Sequence, residues 1–230
     1  MNHHPMMHSM SRRLVIWLAF LVSWGLTGCL NFSKEFPDKT YYALEVLRQG
    51  LDPVAQPRTI LKVKKFRVLP RFEGTGLVYR TGEYRYESDY YHDWFVPPNG
   101  MVTQQVQDWL AAAGLFEHVL GQGSAGDETH LLEGTVTALY GDYRNPGVPK
   151  AVVGLQVVLF DEGLDHPGIL MQREYQRDVA MPSATPEALM QGWNDALRLI
   201  LAALEEDVKK AIATPAPAPQ SSAPATKSQH

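Results

Sequence analysis

Tyr41 to Val46 is a short apolar run, and over Ile60 to Val68 apolar and polar residues alternate through Leu61, Val63, Phe66 and Val68 with a change of register at Lys64 and Lys65. Both runs predict strands, the second with one buried face, and Pro70 closes it. Leu77 to Arg80 and Glu83 to Tyr86 predict two short strands turning through Thr81 and Gly82. The period then changes. From Pro97, Pro98, Asn99 and Gly100 a helix is expected to about Ala113, with Val102, Val106, Trp109, Leu110 and Ala113 along one face and Gly114 placed to cap it. His130 to Tyr140, Ala151 to Phe160 and Met171 to Val179 predict three further strands, separated by loops rich in Gly, Pro, Asp and Asn.

A second helix carries the clearest local signals. Thr185 suits the N-cap, Pro186 the first helical position, and Glu187 the positive end of the helix dipole. Leu189, Trp193, Leu197, Ile200, Leu204 and Val208 then recur every three or four residues, with Asp195, Arg198, Glu205, Glu206, Lys209 and Lys210 off that stripe. A helix with such a stripe needs a surface to pack on. The economical architecture is α+β: a mixed, largely antiparallel sheet with two amphipathic helices packed on one face.

The ends of the chain follow other rules. Arg12 and Arg13 precede an apolar stretch from Leu14 to Leu26, too short for the roughly twenty residues that span a bilayer, so it targets and does not cross. Leu26, Thr27, Gly28 and Cys29 complete a lipoprotein signal, in which residues 1–28 are removed and Cys29 takes a diacylglyceryl group and an N-acyl chain such as palmitate. Two or more acyl chains anchor stably where one holds only marginally. Leu30, in place of the Asp that retains Gram-negative lipoproteins at the inner membrane, favours the periplasmic face of the outer membrane. Met10 begins a complete signal by itself, so the start lies at Met1 or Met10. Residues 29–39 are expected to form a lipid-anchored tether and 40–212 the folded domain. Residues 213–230, almost wholly Ala, Pro, Ser, Thr and Gln, are expected to form a disordered tail.

Composition narrows the chemistry. The formal net charge is −4 over 230 residues, and losing Arg12 and Arg13 with the leader makes the mature chain more acidic. The sequence has no basic run that would suit nucleic acid. Cys29 is the single cysteine, so its lipidation leaves no disulfide and no thiol nucleophile. No His-Glu-x-x-His helix or Gly-x-Ser-x-Gly elbow is present. His92, His118, His130 and His166 are scattered without metal-ligand spacing. Gly121, Gly123 and Gly126 have dinucleotide-loop spacing, but Asp127, Glu128 and Thr129 lead into a strand instead of a helix that would meet phosphate. Enzymatic activity, metal and cofactor are therefore not expected.

The strand Leu61 to Leu69 ending at Pro70, the run Leu77 to Arg80, the stretch Asp89, Tyr90, Tyr91, His92, Asp93, Trp94, Phe95, and the helix ending Trp109 to Phe116 resemble the ABC-type transport auxiliary lipoprotein component family. That family includes the paraquat-inducible protein C-like lipoproteins. The resemblance implies a non-catalytic periplasmic subunit of an ABC system moving lipids or other hydrophobic solutes, beside mammalian-cell-entry (MCE) domain or other periplasmic partners, with self-association in copies also in view. An alternative is a lipoprotein regulator or assembly factor for cell-wall synthesis or secretion.

Within Tyr84 to Phe95, aromatic rings alternate with Glu83, Glu87, Asp89 and Asp93. Tyr and Trp are enriched at interfaces, and Tyr86, Tyr91, His92 and Trp94 are the expected partner surface, with Tyr90 and Phe95 expected beneath it and Asp89 paired to Arg80. Deleting Ala213 to His230 is expected to leave folding unchanged. Thermal unfolding checks this, because a midpoint drop beyond about 5 °C corresponds to roughly 1 kcal/mol in a small domain and shows that the tail docks.

Overall fold

The computed structural model describes residues 38–50, 58–124, 126–163 and 168–213. Cys29, the leader, most of the tether and the tail beyond 213 lie outside them. The elements are β1 (Thr40–Tyr42), β2 (Ile60–Val63), β3 (Arg67–Val68), β4 (Gly76–Arg80), β5 (Tyr86–Trp94), α1 (Pro98–Ala112), β6 (His118–Leu120), β7 (His130–Asp142), β8 (Lys150–Asp161), β9 (Gly168–Ala180) and α2 (Pro186–Ala213), with a 3-10 turn at Pro70–Phe72. The described residues form a nine-stranded mixed sheet and two helices, an α+β fold.

Strand β7 organises the sheet. Along one edge it pairs antiparallel with β8 from His130 to Asp142, and β8 pairs antiparallel with β9. Its other edge takes three parallel strands in succession: β2 against His130 to Leu132, β3 against Thr135 and Val136, and β4 against Gly141 and Asp142. Beyond them β6 joins β2 in parallel, while β5 joins β4 antiparallel and carries β1 in parallel on its far side. The register change at Lys64 and Lys65 is the break between β2 and β3. There the Phe66 N–H leaves the ladder and donates to Thr103 Oγ1 of α1 at 2.9 Å. The Phe66 ring fills the space over Gly134, so a Cβ at 134 would collide with it and force the buried ring to move.

Three strand expectations change. Strand β6, only three residues long, was not anticipated. The second arm of the hairpin starts at Tyr86, and Thr81 and Gly82 donate to the Arg85 carbonyl within a longer turn. The strand expected over Tyr41 to Val46 stops at Tyr42, because the next backbone groups bond to helix side chains. Leu44 N–H meets Met101 Sδ at 3.1 Å, Glu45 N–H donates to Asn194 Oδ1 at 3.0 Å, and Val46 N–H donates to Gln105 Oε1 at 2.6 Å. This strap runs between α1 and α2 with Leu44 and Val46 buried. Arg48 closes it with two 2.9 Å bonds to the carboxylate of Glu205, which also accepts the Trp109 indole N–H at 2.8 Å.

Helix α2 matches its sequence pattern. Thr185 Oγ1 accepts the Ala188 N–H at 3.3 Å as an N-cap, and all six stripe residues from Leu189 to Val208 are fully buried. Gly192 lets the helix sit close on β8, since a Cβ there would lie 2.6 Å from that of Ala151. Trp193 packs on Trp94 with ring centroids 4.9 Å apart and planes tilted by 32°, and its indole N–H donates to the Tyr140 carbonyl at 3.3 Å. Tyr175 of β9 donates to Asp207 at 2.9 Å near the other end of the helix. Trp193→Ala is expected to cost about 3 to 5 kcal/mol, read as an earlier denaturant midpoint at unchanged slope. A shift under about 0.5 kcal/mol, the size of a surface substitution, would contradict this placement.

Candidate functional site

The aromatic and acidic stretch is built around a bulge. From Ser88 to Asp93 strand β5 takes five steps while β4 takes two, from Gly76 to Val78. Asp89 forms the irregularity: Oδ1 accepts the N–H groups of Tyr91 at 2.8 Å and His92 at 3.1 Å, while Oδ2 accepts the Tyr79 hydroxyl at 2.7 Å and lies 2.8 Å from His92 Nδ1. Gly76 permits the close approach, since a Cβ there would strike the Asp89 carbonyl and the Ser88 hydroxyl. Burial is the largest single influence on the Asp89 carboxyl and pushes its pKa up, but the bonds from Tyr79, Tyr91 and His92 together outweigh it and hold the group below the usual carboxylate range. Nearby, Tyr42 donates to Glu187 at 2.8 Å, and burial followed by that bond pushes its hydroxyl up to about 12.

The bulge rearranges the expected partner surface. Trp94 is not on it: the side chain is 3% exposed and packs on Trp193, so its assignment to a partner face is corrected. Tyr86 is half-buried, edge-on to Phe72 and Tyr140 with the Arg71 and Arg80 guanidinium groups over its ring. Tyr91 and His92 are also half-buried. Tyr90 and Phe95, expected inside, are 70% and 74% exposed. Side chains alternate along a strand, and the bulge resets that alternation between Ser88 and Asp93. The expected pair of Asp89 with Arg80 does not form. Asp89 bonds to Tyr79, whose neighbour Arg80 points to the opposite face and donates to the Glu83 carbonyl at 2.8 Å.

At the β1–β5 edge the exposed rings are therefore Tyr41, Tyr90 and Phe95, with Val96 beside them, while Tyr84 is exposed in the turn before β5. Tyr41 and Phe95 meet edge to face at 6.5 Å. Lys39 Nζ lies 5.0 Å over the Tyr90 ring and bonds to Asp93 Oδ2 at 2.7 Å, which holds the ammonium above its ordinary pKa. The sequence stretch alone missed Tyr41 and Lys39, because only the parallel pairing of Tyr41 with Asp93 brings them to this edge.

Other candidate chemistry is not assembled here. The glycine-spaced loop joins β6 to β7 with no helix after it. His130 is buried against Phe116, and burial lowers its pKa. Among the described residues no three His, Cys, Asp or Glu side chains converge on a metal position. An open concavity of about 640 Å³ gathers Lys62, Lys64, Lys65 and Arg67 near Glu73. Within it Lys62 pairs with Glu128 and Lys64 with Glu133, which offsets much of its charge.

The sequence profile of the ABC-type transport auxiliary lipoprotein component family matches residues 42–205, from the end of β1 through the middle of α2. The chain belongs to this family. Among solved structures, this auxiliary lipoprotein component is similar to a protein from Xanthomonas campestris at 18% identity, covering 76% of this chain and 100% of the other with a TM-score of 0.63. It is also similar to an uncharacterized protein at 17% identity, covering 74% and 99% with a TM-score of 0.61. At such identities the likeness shows the fold alone. No match was found among curated proteins.

The Asp89 bulge carries a pH signature. A carboxyl whose folded pKa is lowered contributes stability that is fully present above its unfolded value, about 3.9 for Asp, and is lost as pH falls through the folded value. Asp89→Asn is expected to destabilise by about 1 to 3 kcal/mol at pH 7, through the donors it leaves poorly paired. The gap to wild type should narrow below about pH 3, as the wild-type carboxyl protonates. Urea unfolding at both pH values checks it, and a gap independent of pH would show that the carboxylate charge is irrelevant.

Proposed function

We propose that the protein is an outer-membrane lipoprotein facing the periplasm and a non-catalytic auxiliary subunit of an MCE-linked ABC system for lipids or other hydrophobic solutes. The observation that carries this reading is the family match over 42–205, joined to the lipobox Leu26-Thr27-Gly28-Cys29. The acyl chains on Cys29 hold the domain at the membrane, and its exposed surface docks a periplasmic subunit or further copies. The absence of catalysis is supported by the use of the Asp89 cluster: four donors already occupy its carboxylate, and Tyr42 is bonded to Glu187.

The anchor is tested in a Gram-negative host. Cys29→Ala is expected to abolish labelling by radioactive palmitate and to release the chain from the outer-membrane fraction. Capture of the membrane-held wild type is expected to bring down an MCE-domain subunit. Persistent labelling of the variant contradicts the anchor, and recovery of cell-wall synthases in place of transporter subunits favours the regulator reading.

A further inference from the structure

The exposed aromatic edge lies where the chain enters the domain. Lys39 and Tyr41 belong to it, and Tyr90, Phe95 and Val96 complete it. Nine chain steps separate Cys29 from Asp38. At no more than about 3.6 Å per residue they span at most about 32 Å, so an acylated Cys29 keeps Asp38, the residue that leads into this edge, within that distance of the bilayer. Charge fits the same occupant. Lys39 neutralises Asp93, the carboxylate beneath the rings, leaving an apolar surface with phenolic tips. Tyr and other amphipathic side chains settle at the headgroup level of membranes, where the ring is apolar and the hydroxyl stays wet.

From this geometry, and resting on the anchor reading above, we infer that Tyr41, Tyr90, Phe95 and Val96 seat the domain against the headgroup region of the membrane that holds Cys29. The patch is a second, non-covalent membrane contact that fixes the orientation of the domain. The lightly charged edge suits a zwitterionic surface such as phosphatidylethanolamine. In this orientation β9, which lies beyond β7 and β8 on the other edge of the sheet, points away from the bilayer and is free to meet other proteins.

The test uses the full chain purified with its lipid. With Cys29 blocked by acylation, Tyr90→Cys accepts a polarity-sensitive maleimide dye at a single place, and Glu174→Cys on β9 provides the distal control. On vesicles of phosphatidylethanolamine with a minority of phosphatidylglycerol and brominated acyl chains, the dye at 90 is expected to shift to the blue and be quenched, while the dye at 174 stays water-like. In a full chain carrying Cys29→Ser, the set Tyr41→Ser, Tyr90→Ser and Phe95→Ser is expected to weaken vesicle partition by about tenfold or more, with unfolding midpoints confirming that the variant is folded. A water-like dye at 90 on a chain that floats with the vesicles overturns the proposal. Protection of the dye at 90 without lipid, rising with protein concentration, also overturns it and assigns the patch to a second copy. Wild-type chain that takes dye at Cys29 and stays in the supernatant defeats the anchor itself, a result distinct from failure of the patch.

Discussion

Strand β7 has both edges paired, and that constraint places nearly everything else. A strand of 13 residues is long enough to hold β8 along its whole length on one side and three short parallel strands in series on the other. Parallel neighbours cannot be joined by tight turns, so the chain must travel from the strands β2, β3 and β4 before it returns as β7. Those excursions carry the 3-10 turn, the β5 bulge and α1. Phe66 over Gly134 fixes β7 against the β2–β3 break, and Gly192 over Ala151 fixes α2 on the neighbouring β8. In both places a missing Cβ permits the close approach, within the sheet at Gly134 and between helix and sheet at Gly192.

Where one element decides its own structure, the sequence was sufficient. The stripe from Leu189 to Val208 and the cap at Thr185 needed only local rules, and the long antiparallel strands β7, β8 and β9 announced themselves by length and turn residues. Misreadings fell where a side chain replaces the backbone as partner. Leu44 and Val46 alternate as a strand would, yet Met101, Gln105 and Asn194 take the neighbouring N–H groups. Alternation reports which residues are buried and is silent about whose acceptors complete the ladder. The same holds for β5, where Asp89 folds three extra residues into the strand and exchanges the expected burial of Tyr90 and Phe95 with that of Trp94. Strand β6 was missed because three residues pairing in parallel leave no local signature.

Of the three terminal strands β1, β6 and β9, the first and last are protected differently. Strand β9 pairs only with β8 and is long, a form of edge that invites pairing with another chain. Its exposed Arg173, Glu174, Arg177 and Asp178 answer that hazard with charge. Strand β1, by contrast, is only three residues long, and the side chains there are aromatic. A short edge limits strand pairing by length, so no charge is needed to block it, and rings are tolerated there if something covers them. Rings of this size left in water are uncommon on a domain that can otherwise bury its apolar groups, as the fully enclosed stripe of α2 does. Tyr41, Tyr90 and Phe95 are exposed together at that edge, whereas the exposed Tyr84 stands apart in the turn before β5. With the proposed anchor at Cys29, β1 is also where the tether would end, and the first cover within its reach would be the membrane.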